Sequence, residues 1–368
     1  MKGGIEVVSV DMAEIASNIG DKIRPFSGSS VLITGAAGFL GYYLVNFLLH
    51  ANGILEKNCR IVCVDNFIRG VPAWLDNFAK GKKVELVEAD ITRFDPKTLG
   101  NFDYIIHAAS IASPTYYRKF PIETMDANVI GLRNLLDYAV AQARLGKPIK
   151  SFLFFSSSEI YGDPTPDQIP TPENFRGYVS CTGPRACYDE SKRYGETLCV
   201  NFFQSEKVPV KIARPFNNYG PGMSLNDGRV IADFCKNVLS GQDIAMFSDG
   251  SPTRTFCYIS DAITGYLLLL LSGHDGEPFN IGVEKPEISI KDFAELVAMT
   301  AEKHLALTKV KITTKKSSDD KYLVDNPERR CPTIKKAREL LGYDPKVGLE
   351  EGLRRVLTWY KHSQDKTA

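Results

Sequence analysis

The sequence predicts an α/β fold, a doubly wound parallel sheet followed by a smaller C-terminal lobe. Three observations predict it. From Val31 to about residue 217, short apolar runs of strand length alternate with longer helical runs. The first of these, "VLITGAAGFLGYYL", passes from strand to helix through closely spaced glycines. Beyond residue 217, proline and glycine thicken, as in "NNYGPGMSLNDG" and "SDGSPTR", where shorter elements of a second lobe are expected. A length of 368 residues suits one large α/β domain with a substantial appendage, or two domains.

Residues 1–29 mix apolar and acidic residues without a strong period and end in the break "RPFSGSS". They read as an N-terminal extension packed on the domain. "VLIT" then reads as a buried strand, "FLGYYLVNFLLH" as a helix, and "RIVCVD", "VELVEAD" and "YIIHAAS" as strands. "ETMDANVIGLRNLLDYAVAQA" reads as one helix, "SFLFFSSS" as a fifth strand, "ESKRYGETLCVNFFQSE" as a helix and "PVKIARPFN" as a sixth strand. Residues 30–217 therefore form the sheet domain, and 218–368 form mainly the lobe, with the chain near "PFNIG" returning to the large domain.

Composition narrows the function. With 45 Lys and Arg against 44 Asp and Glu, no global field attracts nucleic acid or an acidic membrane surface. The eight cysteines form no CxxC pair, and several sit in apolar runs, so buried reduced thiols are expected rather than disulfides or a metal site. The longest apolar run, "YLLLLLSG", is far short of the ~20 residues of a membrane span. The N-terminus lacks the plan of a signal peptide. A soluble, cytoplasmic setting is the expectation.

"TGAAGFLG" sets Gly35, Gly38 and Gly41 between a strand and a helix, where glycines permit a tight turn and close approach to a pyrophosphate. Asp65, at the end of the second strand, is placed to accept from both ribose hydroxyls of an adenosine and would repel a 2′-phosphate. NAD is thus favoured over NADP; Arg69 is the contrary hint, and a solvated loop charge is its plainer reading. Asp90 and Ile91 follow the third strand where an adenine edge is met, although Asp90 reads equally as a cap. "HAAS" ends the fourth strand with the small residues Ala108, Ala109 and Ser110, and His107 reads as a core histidine.

Tyr188 and Lys192 lie four apart on one helical face, where an ammonium is expected to lower the phenol's pKa and make it a base. Surface pairs of this kind are common. Their order after the glycine loop and the serine-bearing fifth strand is what argues for chemistry.

Together "TGAAGFLG", "SSSEIYG", "YDESK" and "ARPFNNYGPG" make residues 30 to about 360 resemble the extended short-chain dehydrogenase/reductases that act on nucleotide sugars. The resemblance implies a Rossmann-type domain with NAD, a nucleotide-diphosphate sugar as substrate, and a homodimer paired through the helices holding Asn128–Ala143 and Tyr188–Gln204. It implies that Tyr188 takes the proton of the sugar C4 hydroxyl, with Lys192 beside it and Ser157 bonding the same oxygen. The implied cofactor contacts include Phe39, Leu40, Asn66, Asn128 and Pro215 besides those above. Tyr117, Ser158, Asn217, Arg229, Arg254 and Arg330 fall at substrate positions.

Members of this family share a 4-keto intermediate, which either epimerises at C4, loses water across C5 and C6, or loses a C5 carboxylate as a β-keto acid. The 4,6-dehydratases carry an Asp-Glu pair where this chain has Ser158-Glu159, so the acid for dehydration is missing. "ASPTYY", "GPRACYDESKR", "NDGRV" and "SPTRTFCYISD" most resemble the UDP-glucuronate decarboxylase group, which forms UDP-xylose. The resemblance gives Glu159 and Arg254 places beside the sugar ring: a cation to hold a carboxylate or diphosphate, and a carboxyl group or its water to reprotonate C5. The chain departs from that group at Gly222, where an arginine is usual, at Glu123 and Asp126, where basic residues are usual, and at Arg118, an added charge. The alternatives are a 4,6-dehydratase or 4-epimerase and, from another class, a non-catalytic NAD-binding sensor, which would typically have lost the tyrosine or lysine.

Overall fold

The computed structural model describes residues 2–316, 321 and 324–364. The N-terminal extension is a helix, α1 (Lys2–Ile19), whose Val8, Met12, Ile15 and Ile19 recur on one buried face. A short 3₁₀ turn leads to β1 (Ser30–Thr34), α2 (Phe39–Asn52), β2 (Arg60–Asp65), α3 (Ala73–Lys80) and β3 (Glu85–Glu88). Then come β4 (Tyr104–His107), α4 (Pro114–Lys119), α5 (Pro121–Asp126), α6 (Leu132–Arg144), β5 (Ser151–Phe155), α7 (Ala186–Glu206) and β6 (Val210–Pro215). α5 and α6 are joined by a π-helical turn over Ala127–Gly131, so the long helix expected there carries a bulge that apolar spacing does not reveal.

The lobe and its returns follow as β7 (Asn218–Tyr219), α8 (Val230–Leu239), β8 (Ile244–Met246), β9 (Thr253–Arg254), β10 (Cys257–Tyr258) and α9 (Ile259–Leu270). The chain ends with β11 (Pro278–Ile281), β12 (Ile288–Ser289), α10 (Ile290–Leu305), β13 (Ile312–Thr314), β14 (Arg329–Arg330), α11 (Lys335–Leu341) and α12 (Leu349–Gln364).

Seven parallel strands form the main sheet in the order β11-β6-β5-β4-β1-β2-β3. The seventh, β11, is the expected return of "PFNIG". Central strands such as β5, "SFLFF", are buried at every position because helices cover both faces of a parallel sheet. One core packs α1, α2, α9 and α12 on one face, and a second packs α6 and α7 on the other. Six of the eight cysteines are buried; Cys187 is half-buried and Cys181 exposed. His107 lies in the core, its Nδ1 2.8 Å from Thr34 Oγ1, and burial pushes its pKa down to about 3. Among the described residues no helix is long and apolar enough to cross a membrane.

α1 is fastened to the rest by one buried carboxylate. Asp11 accepts from Tyr43 of α2 (2.6 Å), Tyr258 before α9 (2.8 Å) and Arg355 of α12 (2.8 Å). Arg355 is also chelated by Glu14 at 2.6 and 2.8 Å, so α1 ties the sheet domain to the C-terminal helix.

Candidate active site

The loops after β1, β2, β4, β5 and β6 open at the carboxyl edge of the sheet, where doubly wound folds place their ligands. Together with the lobe they enclose a cleft of about 870 Å³, toward the upper end of the range for ligand pockets. Of the residues expected at the site, all but one line this cleft. The exception is Asn128, in the π-turn, which donates to Ser191 Oγ at 2.9 Å while its Oδ1 is buried without a partner among the described residues.

The cofactor end fits a dinucleotide. Gly35 has φ +71°, and a Cβ there would come within 2.6 Å of the Ala108 carbonyl, so the loop lies flat on the end of β4. Asp65 accepts from the backbone N–H of Ala37 (3.0 Å) and Phe67 (2.9 Å), fixing a carboxylate where an adenosine ribose would sit. Ser110 Oγ and Tyr117 OH are buried without a partner among the described residues, although both residues line the cleft. Asp90 accepts from Thr92 N (2.9 Å) and Oγ1 (2.8 Å), which is the capping reading, while still lining the cleft. Arg69 lies 5.1 Å over the Tyr116 ring and 3.8 Å from Asp227, so it spans toward the lobe.

At the end of β5, Ser157 lies beside the Tyr188 phenol, and Tyr117 stacks on the Tyr188 ring at 5.2 Å and 14°. Lys192 Nζ donates to the Phe155 carbonyl at 2.8 Å and lies 5.7 Å from the Tyr188 ring centre. Burial pushes Lys192 down to about 7 and Tyr188 up to about 12, Ser157 opposing the latter. This corrects the expectation of a lowered phenol: in the protein alone, desolvation outweighs the neighbouring charges.

Glu159 is the centre of a buried ion cluster. Arg330 donates to both its oxygens, at 2.6 and 2.5 Å, and Arg185 adds a further short bond to Oε2. Burial would raise this carboxyl, but Arg185, Arg330 and Arg254 outweigh it and hold it at about 2. Glu159 is therefore held as a carboxylate at neutral pH. Arg254 is held by carbonyl oxygens, Thr253 at 2.7 Å, Glu328 at 3.0 Å and Pro327 at 2.6 Å. Among the described residues none of its hydrogen bonds goes to a carboxylate. Burial, then Arg330, presses its pKa down, the mark of a cation short of counter-charge.

The remaining expected residues divide. Ser158 is buried on the cleft wall. Asn217 lines the cleft, but its amide donates to Thr255 O at 2.9 Å and holds the lobe. Arg229 lines the cleft, paired with Asp227 at 2.5 Å. Gly222 has φ +88°, and a Cβ there would meet Tyr42 at 2.5 Å, so the Tyr42 ring occupies the space of the arginine usual in the resembled group. Arg118, Glu123 and Asp126 also line the cleft. Sequence reasoning missed Arg185, although "GPRACYDESKR" contains it; its helical spacing from Asp189 was the available signal.

A family model described as the NAD dependent epimerase/dehydratase family matches residues 31–282. The chain belongs to that family. It is 38% identical over 323 residues to UDP-glucuronic acid decarboxylase 3 of Arabidopsis thaliana, covering 88% of this chain and 86% of that protein. It is 36% identical over 338 residues to UDP-glucuronic acid decarboxylase 1 of Xenopus tropicalis, covering 92% of this chain and 73% of that one. Among solved structures, UDP-glucuronic acid 4-epimerase of Bacillus cereus in complex with UDP-glucuronic acid and NAD superposes with a TM-score of 0.72. The two are 28% identical over 91% of this chain and 99% of that one. The Rossmann-like architecture of this epimerase/dehydratase family member is thus shared with a nucleotide-sugar enzyme.

Proposed function

We propose that the protein is an NAD-dependent decarboxylase of a nucleotide-diphosphate hexuronate, converting UDP-glucuronate to UDP-xylose. The observation that carries the reading is the cluster of Arg185, Arg254 and Arg330 on the single carboxylate of Glu159, beside Tyr188 and Ser157. Such a surplus of buried positive charge suits a sugar bearing its own carboxylate. The named relatives support the same reading.

Gly35, Asp65 and the small residues after β4 would hold NAD, which when bound accepts hydride from the sugar C4 and later returns it. Tyr188 and Ser157 hold the C4 oxygen, Tyr188 relaying its proton. The resulting 4-keto acid expels carbon dioxide, the C5–carboxyl electron pair moving into an enolate whose oxygen the same two hydroxyls stabilise. Arg254 holds the departing carboxylate, while Glu159 fixes Arg185 and Arg330 without giving up a proton. The proton for C5 comes from solvent or a neighbouring hydroxyl. The absence of an acid at Ser158 argues against dehydration. The exposed Ile122, Ile130 and Tyr194 on α5, the π-turn and α7 support a homodimer paired through these helices, and the mainly buried cysteine thiols support a reducing cytoplasmic setting.

The test is release of labelled carbon dioxide from carboxyl-labelled UDP-glucuronate with NAD. The parent is expected to release it and Tyr188→Phe to do so about 10² to 10⁴ times more slowly. No release from the parent contradicts the proposal.

A further inference from the structure

The base of the arginine cluster contains a second carboxyl that the mechanism above does not use. Asp189, the residue after Tyr188, is 4% exposed, and among the described residues its Oδ1 has no partner. Its Oδ2 lies 3.6 Å from Nε of Arg185, one helical turn back, and that Nε is buried with no hydrogen-bond acceptor among the described residues. At 3.6 Å the two form an ion pair longer than a good hydrogen bond, so the guanidinium and a carboxyl with an unpartnered Oδ1 face each other across a narrow gap. On its other side Arg185 donates to Glu159 and lines the cleft. One guanidinium is thus shared between two carboxyl groups, bonded to one and just short of the other.

We infer that Asp189 is a positioning residue that sets the place of Arg185, and with it the charge offered to the sugar carboxylate. Kept neutral, Asp189 leaves Arg185 forward on Glu159, and three guanidinium groups face one carboxylate. Ionised, it draws Arg185 back through the open Nε and cancels one positive charge. The groups around Asp189 favour the neutral form near neutrality. Burial, then the charge of Glu159, raise its carboxyl to about 7, against the opposing pull of Arg185 and Arg330. Tyr117 of α4 and Cys187 and Tyr188 on its own helix are the other titratable neighbours, all raised by burial. Two carboxyl groups driven apart in pKa by one shared environment divide into an ionised and a protonated partner. The sign follows: as pH rises through the titration of Asp189, affinity for an acidic sugar falls, while that for a neutral sugar does not.

This inference rests on the acidic-sugar reading of the site, and the experiment separates the two. Binding of UDP-glucuronate and UDP-glucose to NAD-loaded Tyr188→Phe, whose turnover is slowed about 10² to 10⁴ times, is measured by calorimetry from about pH 6 to about pH 9. UDP-glucuronate is expected to bind more tightly at low pH and to lose roughly tenfold across the range, with UDP-glucose flat. Adding Asp189→Asn should remove the slope and keep the tight low-pH affinity. Adding Glu159→Gln instead, which removes the charge that holds Asp189 neutral, should move the slope to lower pH; this second variant carries the test if Asp189→Asn does not fold. A slope unchanged by both substitutions, with UDP-glucuronate still preferred, overturns the role of Asp189 alone. Equal binding of the two sugars at every pH overturns the acidic-sugar reading along with it.

Discussion

Glu159 shows how far single residues were legible. Its place beside Ser157 and the missing acid at Ser158 are plain in the sequence, and so is the spacing of Tyr188 and Lys192. What spacing does not reveal is the contest between burial and charge. For Glu159 three arginines win and the carboxyl drops to about 2, whereas for Tyr188 burial wins and the phenol rises to about 12. Arg330 reaches Glu159 across 171 positions, a pairing that no local pattern carries. The consequence for stability has a definite sign. A carboxyl whose pKa falls from 4.5 to about 2 on folding contributes fully above 4.5 and loses that contribution as pH drops toward 2. Glu159→Gln is therefore expected to lose about 3 kcal/mol in urea unfolding at neutral pH, because it leaves buried arginines unpaired. Its stability should also depend less on pH between 4.5 and about 2 than the parent's; an unaltered acid limb would refute this balance of charges.

At the scale of elements, the sheet was readable because buried parallel strands form short apolar runs, and the glycine loop marks the first turn. α1 was not readable as a helix. Its two early glycines and its buried Asp11 blur the apolar period, and the partners that settle Asp11 lie in α2, before α9 and in α12. Asn128, a cofactor contact by resemblance, lies in the π-turn with its amide nitrogen donating to Ser191. Asp11→Ala removes the acceptor of two buried phenols and of Arg355, which keeps Glu14 and Glu351. A loss of about 2 to 4 kcal/mol in urea unfolding is expected, with the fold of the sheet domain retained by circular dichroism. A loss below about 0.5 kcal/mol, the scale of an ordinary surface substitution, would show that α1 is not fastened through this carboxylate.

Over the whole molecule, near-neutral charge hides a sharp local asymmetry, since 45 basic and 44 acidic residues still leave several guanidinium groups gathered on Glu159. Composition excluded a general polyanion surface and was silent on this site, because a sum over the chain says nothing of where the fold brings its charges. The lobe supplies Arg254 and Arg330 and the sheet domain Glu159, Arg185 and Tyr188, so the chemistry depends on the two parts meeting. The proposed reaction is a redox-neutral decarboxylation in which C4 is oxidised and restored within one site. UDP-glucuronate deuterated at C4, incubated with the protein and NAD and followed by mass spectrometry, tests it most directly. The expected product is lighter by carbon dioxide and retains the deuterium; a product of undiminished mass, one lacking only water, or a pentose that has lost the label would overturn the proposed reaction.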